Sequence, residues 1–378
     1  MDKNENLNLN EIFTLAVQNH QKNNLKVAQD LYNKVLKIVP NHLGSLNNLG
    51  STFKALGEFQ KAKDCYEKAI EIDPNFADVY NNLGATLIDL GEKQKAIDYF
   101  KKAIEIKPTY GAAYNNLGST LKTLGEFQKA KICYEKVIEI DPNYADVYNN
   151  LGATLVDLGE LQKAIDCFEK AIKINPNSAN THNNLGIIFQ GQQQNLKAID
   201  CFEKAIKINP NYADAITNLA VACKTLGEYK KAEEYLNKAI KLNPDNWQAF
   251  SNLGLLSKEL GNYQKAIDCI EKAIKINPKS ILSLNNLGTT FRAIGENQKA
   301  IDCYEKALAI DPNAISPLEN LASDMISLLN DFDKAISSSY KVLKIKQNLS
   351  KFFDQSVPLF RLKHDVQQAK YLSSKNYK

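Results

Sequence analysis

Residues 111–144 read GAAYNNLGSTLKTLGEFQKAKICYEKVIEIDPNY. Tyr114, Leu117, Gly118, Leu121 and Leu124 recur at helical spacing, the apolar stripe of a first helix. Gly125 ends it, because glycine takes the left-handed cap conformation without steric cost. Ala130, Cys133, Tyr134, Val137 and Ile138 form the stripe of a second helix, and Pro142 closes the stretch, since proline cannot continue a helix. The stretch predicts a helical hairpin with one amphipathic surface, too small to bury that surface alone.

Outward from this stretch the same marks recur. Prolines stand at Pro40, Pro74, Pro108, Pro142, Pro176, Pro210, Pro244, Pro278 and Pro312, each 34 residues after the last; only Pro317 and Pro358 fall outside the series. Gly50, Gly84, Gly118, Gly152, Gly186, Gly254 and Gly288 share one position, where a small side chain lets two helices approach; Ala220 and Ala322 fill it in two further units. Ala62, Ala96, Ala130, Ala164, Ala198, Ala232, Ala266 and Ala300 form a second small-residue series. Hairpins of this kind bury their apolar faces by stacking, so the period predicts an all-α solenoid of antiparallel helix pairs. A 68-residue echo overlies the short period: 47–79 nearly repeats at 115–147, and 81–104 at 149–172, the mark of a duplicated two-unit block.

The 34-residue period, with small residues at its eighth and twentieth positions and proline at its thirty-second, resembles the tetratricopeptide repeat. The resemblance covers residues 9–348 as ten units, after an N-terminal extension at 1–8. It implies a right-handed superhelix that binds proteins and catalyses nothing. The first unit keeps Leu15, Ala16, Ala28, Tyr32 and Pro40; the last, 315–348, lacks its closing proline and carries one extra residue between Asn320 and Ala335. In the unit 179–212 the inter-helix glycine is displaced into Gly191-Gln192-Gln193-Gln194, which predicts a differently shaped turn. The segment 349–378, with Phe352, Phe353, Leu359, Phe360 and Leu362, reads either as a capping helix or as a junction to an enzymatic domain.

One polar series does not drift. Asn48, Asn82, Asn116, Asn150, Asn184, Asn218, Asn252, Asn286 and Asn320 occupy the sixth position of nine consecutive units. The fifth is Asn in Asn47, Asn81, Asn115, Asn149, Asn183 and Asn285, but becomes Thr217, Ser251 and Glu319 elsewhere. A carboxamide offers an acceptor and two donors, enough to bond a peptide backbone whatever its side chains. By resemblance the sixth position faces the concave groove, and the repeats are similar to those of O-GlcNAc transferases, where such asparagines hold an extended polypeptide. The catalytic part of those enzymes is absent from the sequence. Two readings stand: a peptide-binding ladder, or asparagines that bond a neighbouring helix and support stacking.

Lys54, Lys122, Lys224, Lys258 and Arg292 share the twelfth position, interrupted by Ile88, Val156 and Gln190. Resemblance places them in the groove as contacts for an acidic ligand; the alternative is a solvated face. The carboxylate clamp of some relatives needs Lys at position five and Asn at position nine of one unit, and no unit has them.

Other chemistry finds little support. Six of seven cysteines (Cys65, Cys133, Cys167, Cys201, Cys269, Cys303) share the twenty-third position. Equivalent helices lie at least ~8–10 Å apart, beyond the ~7 Å Cα separation a disulfide tolerates, so these read as buried thiols, as does Cys223. The four histidines are scattered, His182 standing where Tyr80, Tyr114 and Tyr148 stand in other units. No phosphate loop, HExxH or nucleophile elbow appears, so no catalytic residue, metal or cofactor is expected. With 47 basic and 43 acidic residues the charge gives no reason to expect nucleic acid, and no apolar run or leader suggests a membrane span or export. The expectation is a soluble cytoplasmic scaffold for protein or peptide partners, its oligomeric state open. The rival from another class is a recruiting subunit for an enzyme acting in trans, such as a glycosyltransferase. RNA binding by helical-pair repeats is disfavoured by the strict period and closing prolines.

Overall fold

In the computed structural model, residues 8–327 are described, and every regular element among them is an α-helix. In chain order the helices are α1 (Leu9–Gln21) and α2 (Leu25–Ile38), α3 (Leu43–Ala55) and α4 (Phe59–Ile72), α5 (Ala77–Asp89) and α6 (Lys93–Ile106), α7 (Gly111–Thr123) and α8 (Phe127–Ile140), α9 (Ala145–Asp157) and α10 (Leu161–Ile174), α11 (Ala179–Gly191) and α12 (Asn195–Ile208), α13 (Ala213–Thr225) and α14 (Tyr229–Leu242), α15 (Trp247–Glu259) and α16 (Tyr263–Ile276), α17 (Ile281–Ala293) and α18 (Asn297–Ile310), and α19 (Ile315–Ser327). The chain divides into two compact units, Met1–Ile188 and Phe189–Lys378. The second helix of the last repeat and the segment 349–378 lie outside the described residues, so neither reading of that segment is addressed.

Within each unit a second helix packs both on its own first helix and on the first helix that follows, as α8 does on α7 and α9, and α14 on α13 and α15. Consecutive first helices also touch, α5 against α7 and α13 against α15 among them. The first helices therefore form a continuous layer in each unit, backed by the second helices.

Side-chain size explains the close approach. A Cβ on Gly84 would lie 2.6 Å from the Phe100 ring, and one on Gly118 would lie 2.9 Å from Tyr134. The glycine leaves room for the aromatic residue that the second helix presents. Where the slot holds Ala220, the facing residue is the smaller Leu236, and both are buried in one core cluster. The twentieth-position alanines, from Ala62 to Ala300, are fully buried.

The turns between paired helices share one geometry. Gly125 has φ +78°, its N–H donates to the Lys122 carbonyl at 3.0 Å, and the Glu126 N–H donates to the Leu121 carbonyl at 3.0 Å, the crossed pair of a Schellman cap. The turn expected to differ does not. Gln193 takes the left-handed conformation at φ 60°, and the Gln193 and Gln194 N–H groups reach the Gln190 and Phe189 carbonyls at 3.0 and 2.8 Å. The cap geometry outlasts the loss of its glycine, because the orphan carbonyls at the helix end still need donors.

Candidate functional site

On a first helix, positions two, five, six, nine, twelve and thirteen fall on one side, since steps of three and four residues return to the same face. Positions three, seven, eight, ten and eleven are turned into the core: in α9 these are Val147, Leu151, Gly152, Thr154 and Leu155, all buried. The remaining face is the solvent side of the first-helix layer and carries both polar series.

The sixth-position asparagines are half-buried, except Asn286, which is buried. Most are tied to one another's helices. The Nδ2 groups of Asn82, Asn116, Asn150 and Asn184 donate to Oδ1 of Asn47, Asn81, Asn115 and Asn149 at 2.9, 2.9, 3.2 and 3.1 Å. Asn320 does the same to Asn285 at 2.8 Å. Each rung joins position six of one repeat to position five of the repeat before it, 35 residues apart. Each uses one of the two Nδ2 hydrogens, so the sixth-position Oδ1 and a second N–H remain available. The sequence carried a signal for this, the Asn-Asn pair itself, but the partner becomes visible only with the helix-to-helix register.

On α15 and α17 the ladder changes. Asn286 reaches Ser251 Oγ at 3.4 Å, a weaker contact. Opposite Asn252 stands Thr217, which turns its hydroxyl to the Ala213 carbonyl at 2.9 Å and accepts from Asn246 Nδ2 at 3.2 Å. Asn246 is 2% exposed, caps α15 by accepting from the Ala249 N–H, and also reaches Asp214. Asn252 is left without a hydrogen-bond partner among the described residues.

The twelfth-position cations are mostly partnered across repeats. Lys54 pairs with Asp89 at 3.3 Å, Lys122 with Asp157 at 3.5 Å, Lys224 with Glu259 at 2.7 Å, and Arg292 with Asp324 at 3.2 Å. Lys258 is the exception: its ammonium donates to Thr289 Oγ1 at 3.1 Å and forms no ion pair among the described residues. Burial pushes its pKa below the usual lysine value; Glu259 opposes that shift, and the Arg292 and Lys224 charges reinforce it. The three cations of α13, α15 and α17 thus feel one another.

Elsewhere the chemistry is structural. The cysteines are free, and burial pushes the thiols of Cys65, Cys133, Cys167 and Cys303 up to about 11, well away from a reactive thiolate at neutral pH. The His182 ring lies 3.1 Å from the Pro176 carbonyl, the bond that the Tyr148 hydroxyl makes to Pro142 at 3.2 Å. Among the described residues no cluster of His, Cys, Asp or Glu is arranged to hold a metal ion, and no helix is long and apolar enough to cross a membrane.

Residues 45–76, 77–110 and 111–144 each match the tetratricopeptide repeat profile, and 139–340, just over half of the chain, match that of the Cilia and flagella-associated protein 70 C-terminal domain. The chain belongs to the tetratricopeptide-repeat family. No curated protein matches it significantly. Solved TPR structures similar to it include MamA (31% identity over 44% of this chain and 97% of that one, TM-score 0.41). YrrB, described as a TPR protein with an unusual peptide-binding site, is 26% identical over 50% of this chain and 96% of its own, with a TM-score of 0.41. As an all-α TPR solenoid the chain is a protein-interaction scaffold.

Proposed function

We propose that the first-helix face binds an extended polypeptide segment through its backbone, using the sixth-position carboxamides from Asn48 to Asn320. Lys54, Lys122, Lys224, Lys258 and Arg292 would serve as secondary contacts to acidic side chains. The observation that carries this reading is a row of half-buried carboxamides, one per repeat, that keep unused donor and acceptor capacity after forming their rungs. Adjacent helices at ~8–10 Å would set about three extended residues of ligand (~3.3 Å each) against each repeat. Because backbone groups are alike in every peptide, such a site tolerates varied sequences.

The test separates binding from stacking. Asn116→Ala/Asn150→Ala and Asn81→Ala/Asn115→Ala remove the same two rungs from opposite ends. Both should melt earlier by similar amounts. Peptides selected on the wild-type chain from a random displayed library should bind the sixth-position variant about tenfold more weakly (roughly 1.4 kcal/mol) and the fifth-position variant nearly unchanged. Equal losses would mean that the asparagines only support the stack.

A further inference from the structure

Two vacancies coincide on α15. Asn252 has lost its rung because Thr217 is engaged by its own helix and by Asn246. Nearly two turns further along the same helix, Lys258 lies half-buried, forms no ion pair among the described residues, and donates to Thr289. Between them sits Leu255, and Val221 holds the same position on α13; both are half-buried. In the four repeats over 43–178 that position is Ser51, Ala85, Ser119 and Ala153, and the cations alternate with Ile88 and Val156. From Lys224 through Lys258 to Arg292 the cationic row is unbroken over three repeats, with Glu259 and Asp324 as the carboxylates paired to it.

We propose that the face of α13, α15 and α17 is the selective part of the site. It takes an extended acidic segment, with one carboxylate at Lys258 and a neighbouring peptide group hydrogen-bonded by Asn252. This rests on the reading that the first-helix face binds extended polypeptide. The occupant follows from charge and spacing. The row carries one more positive than paired negative group, and it seats Lys258 in a partly desolvated place, where an added carboxylate interacts more strongly than in open water. A polyproline II segment turns once every three residues and advances ~9.3 Å per turn, close to the ~8–10 Å between packed helices. Carboxylates at every third residue would therefore meet successive cations from one face. A flat β-strand would present every third side chain to alternate sides.

The experiment uses the full chain and two fluorescein-labelled nonapeptides, three repeats of Glu-Pro-Val and three of Gln-Pro-Val, followed by fluorescence anisotropy at low salt. The glutamate peptide should bind about tenfold tighter than the glutamine one. Lys258→Gln should erase most of that preference, and Lys102→Gln, on the second helix α6 and paired with Glu105, should leave it within about twofold. Asn252→Ala should weaken both peptides alike. Circular dichroism melts confirm that the variants fold. Equal affinity for the two peptides, or an equal loss on Lys102→Gln, overturns the assignment to this face. If the peptides bind equally and Asn116→Ala/Asn150→Ala weakens both, the general ladder stands without its acidic selectivity; if neither binds, both readings fall.

Discussion

The first-helix face is built differently in the two compact units. In Met1–Ile188 the asparagines are joined rung to rung, and cations alternate with aliphatic side chains. In Phe189–Lys378, among the described residues, Asn252 has no rung, the one to Asn286 is long, the one to Asn320 is regular, and the cations run unbroken from Lys224 to Arg292. A carboxamide committed to the helix beside it has less left for a ligand. On the proposed reading, a stiffer stack and a more receptive surface draw on the same side chain, and the two units would settle that competition differently.

The largest expected effect probes how the cores differ. Gly84→Ala, whose methyl would lie 2.6 Å from the Phe100 ring, should lose about 1–3 kcal/mol in urea denaturation. Adding Phe100→Leu, which copies the Ala220–Leu236 pair downstream, should recover much of the loss. Next comes the ladder itself. Asn115→Ala should cost about 1 kcal/mol and Ser251→Ala less than half of that, following the 3.2 and 3.4 Å contacts they remove. The double variant Thr217→Asn/Asn246→Tyr imitates the upstream repeats and should be more stable than the sum of its single changes, a coupling that a double-mutant cycle reads directly.

Gln193→Gly should stabilise the chain by about 0.5–1 kcal/mol, because a side chain at φ 60° is strained and glycine is not. Its converse upstream, Gly125→Ala, should lose a similar amount although nothing lies within 4 Å of the added methyl. The smallest effect concerns Lys258. Its folded pKa is depressed, so the native state binds fewer protons than the unfolded chain only between that value and 10.5. Below this window the charged form carries a burial cost. Lys258→Gln should therefore stabilise by under about 0.5 kcal/mol at pH 7, and the gain should vanish once the pH passes 10.5.

Much of this architecture was legible in the residues. The proline period and the paired small-residue series marked the helices, because close packing demands small side chains at fixed places. The displaced glycine at Gly191 misled, since the cap conformation is enforced by the helix-end carbonyls and Gln193 adopts it regardless. The asparagine series could be read as a row. Its pairing with the fifth position could not, because that depends on how one helix slides along the next. Nor did the sequence reveal that Asn246 would capture Thr217 and release Asn252.

The rung's span of 35 residues, one more than the repeat, bears on how such a chain changes length over generations. Recombination that deletes residues 111–144 in frame brings Asn81 opposite Asn150, the same atoms in the same register. Gain of a repeat is equally silent at the junction. Repeat number can therefore drift by unequal crossing-over without a new interface being invented, and the near-copy of 47–79 at 115–147 is the kind of trace such an exchange leaves.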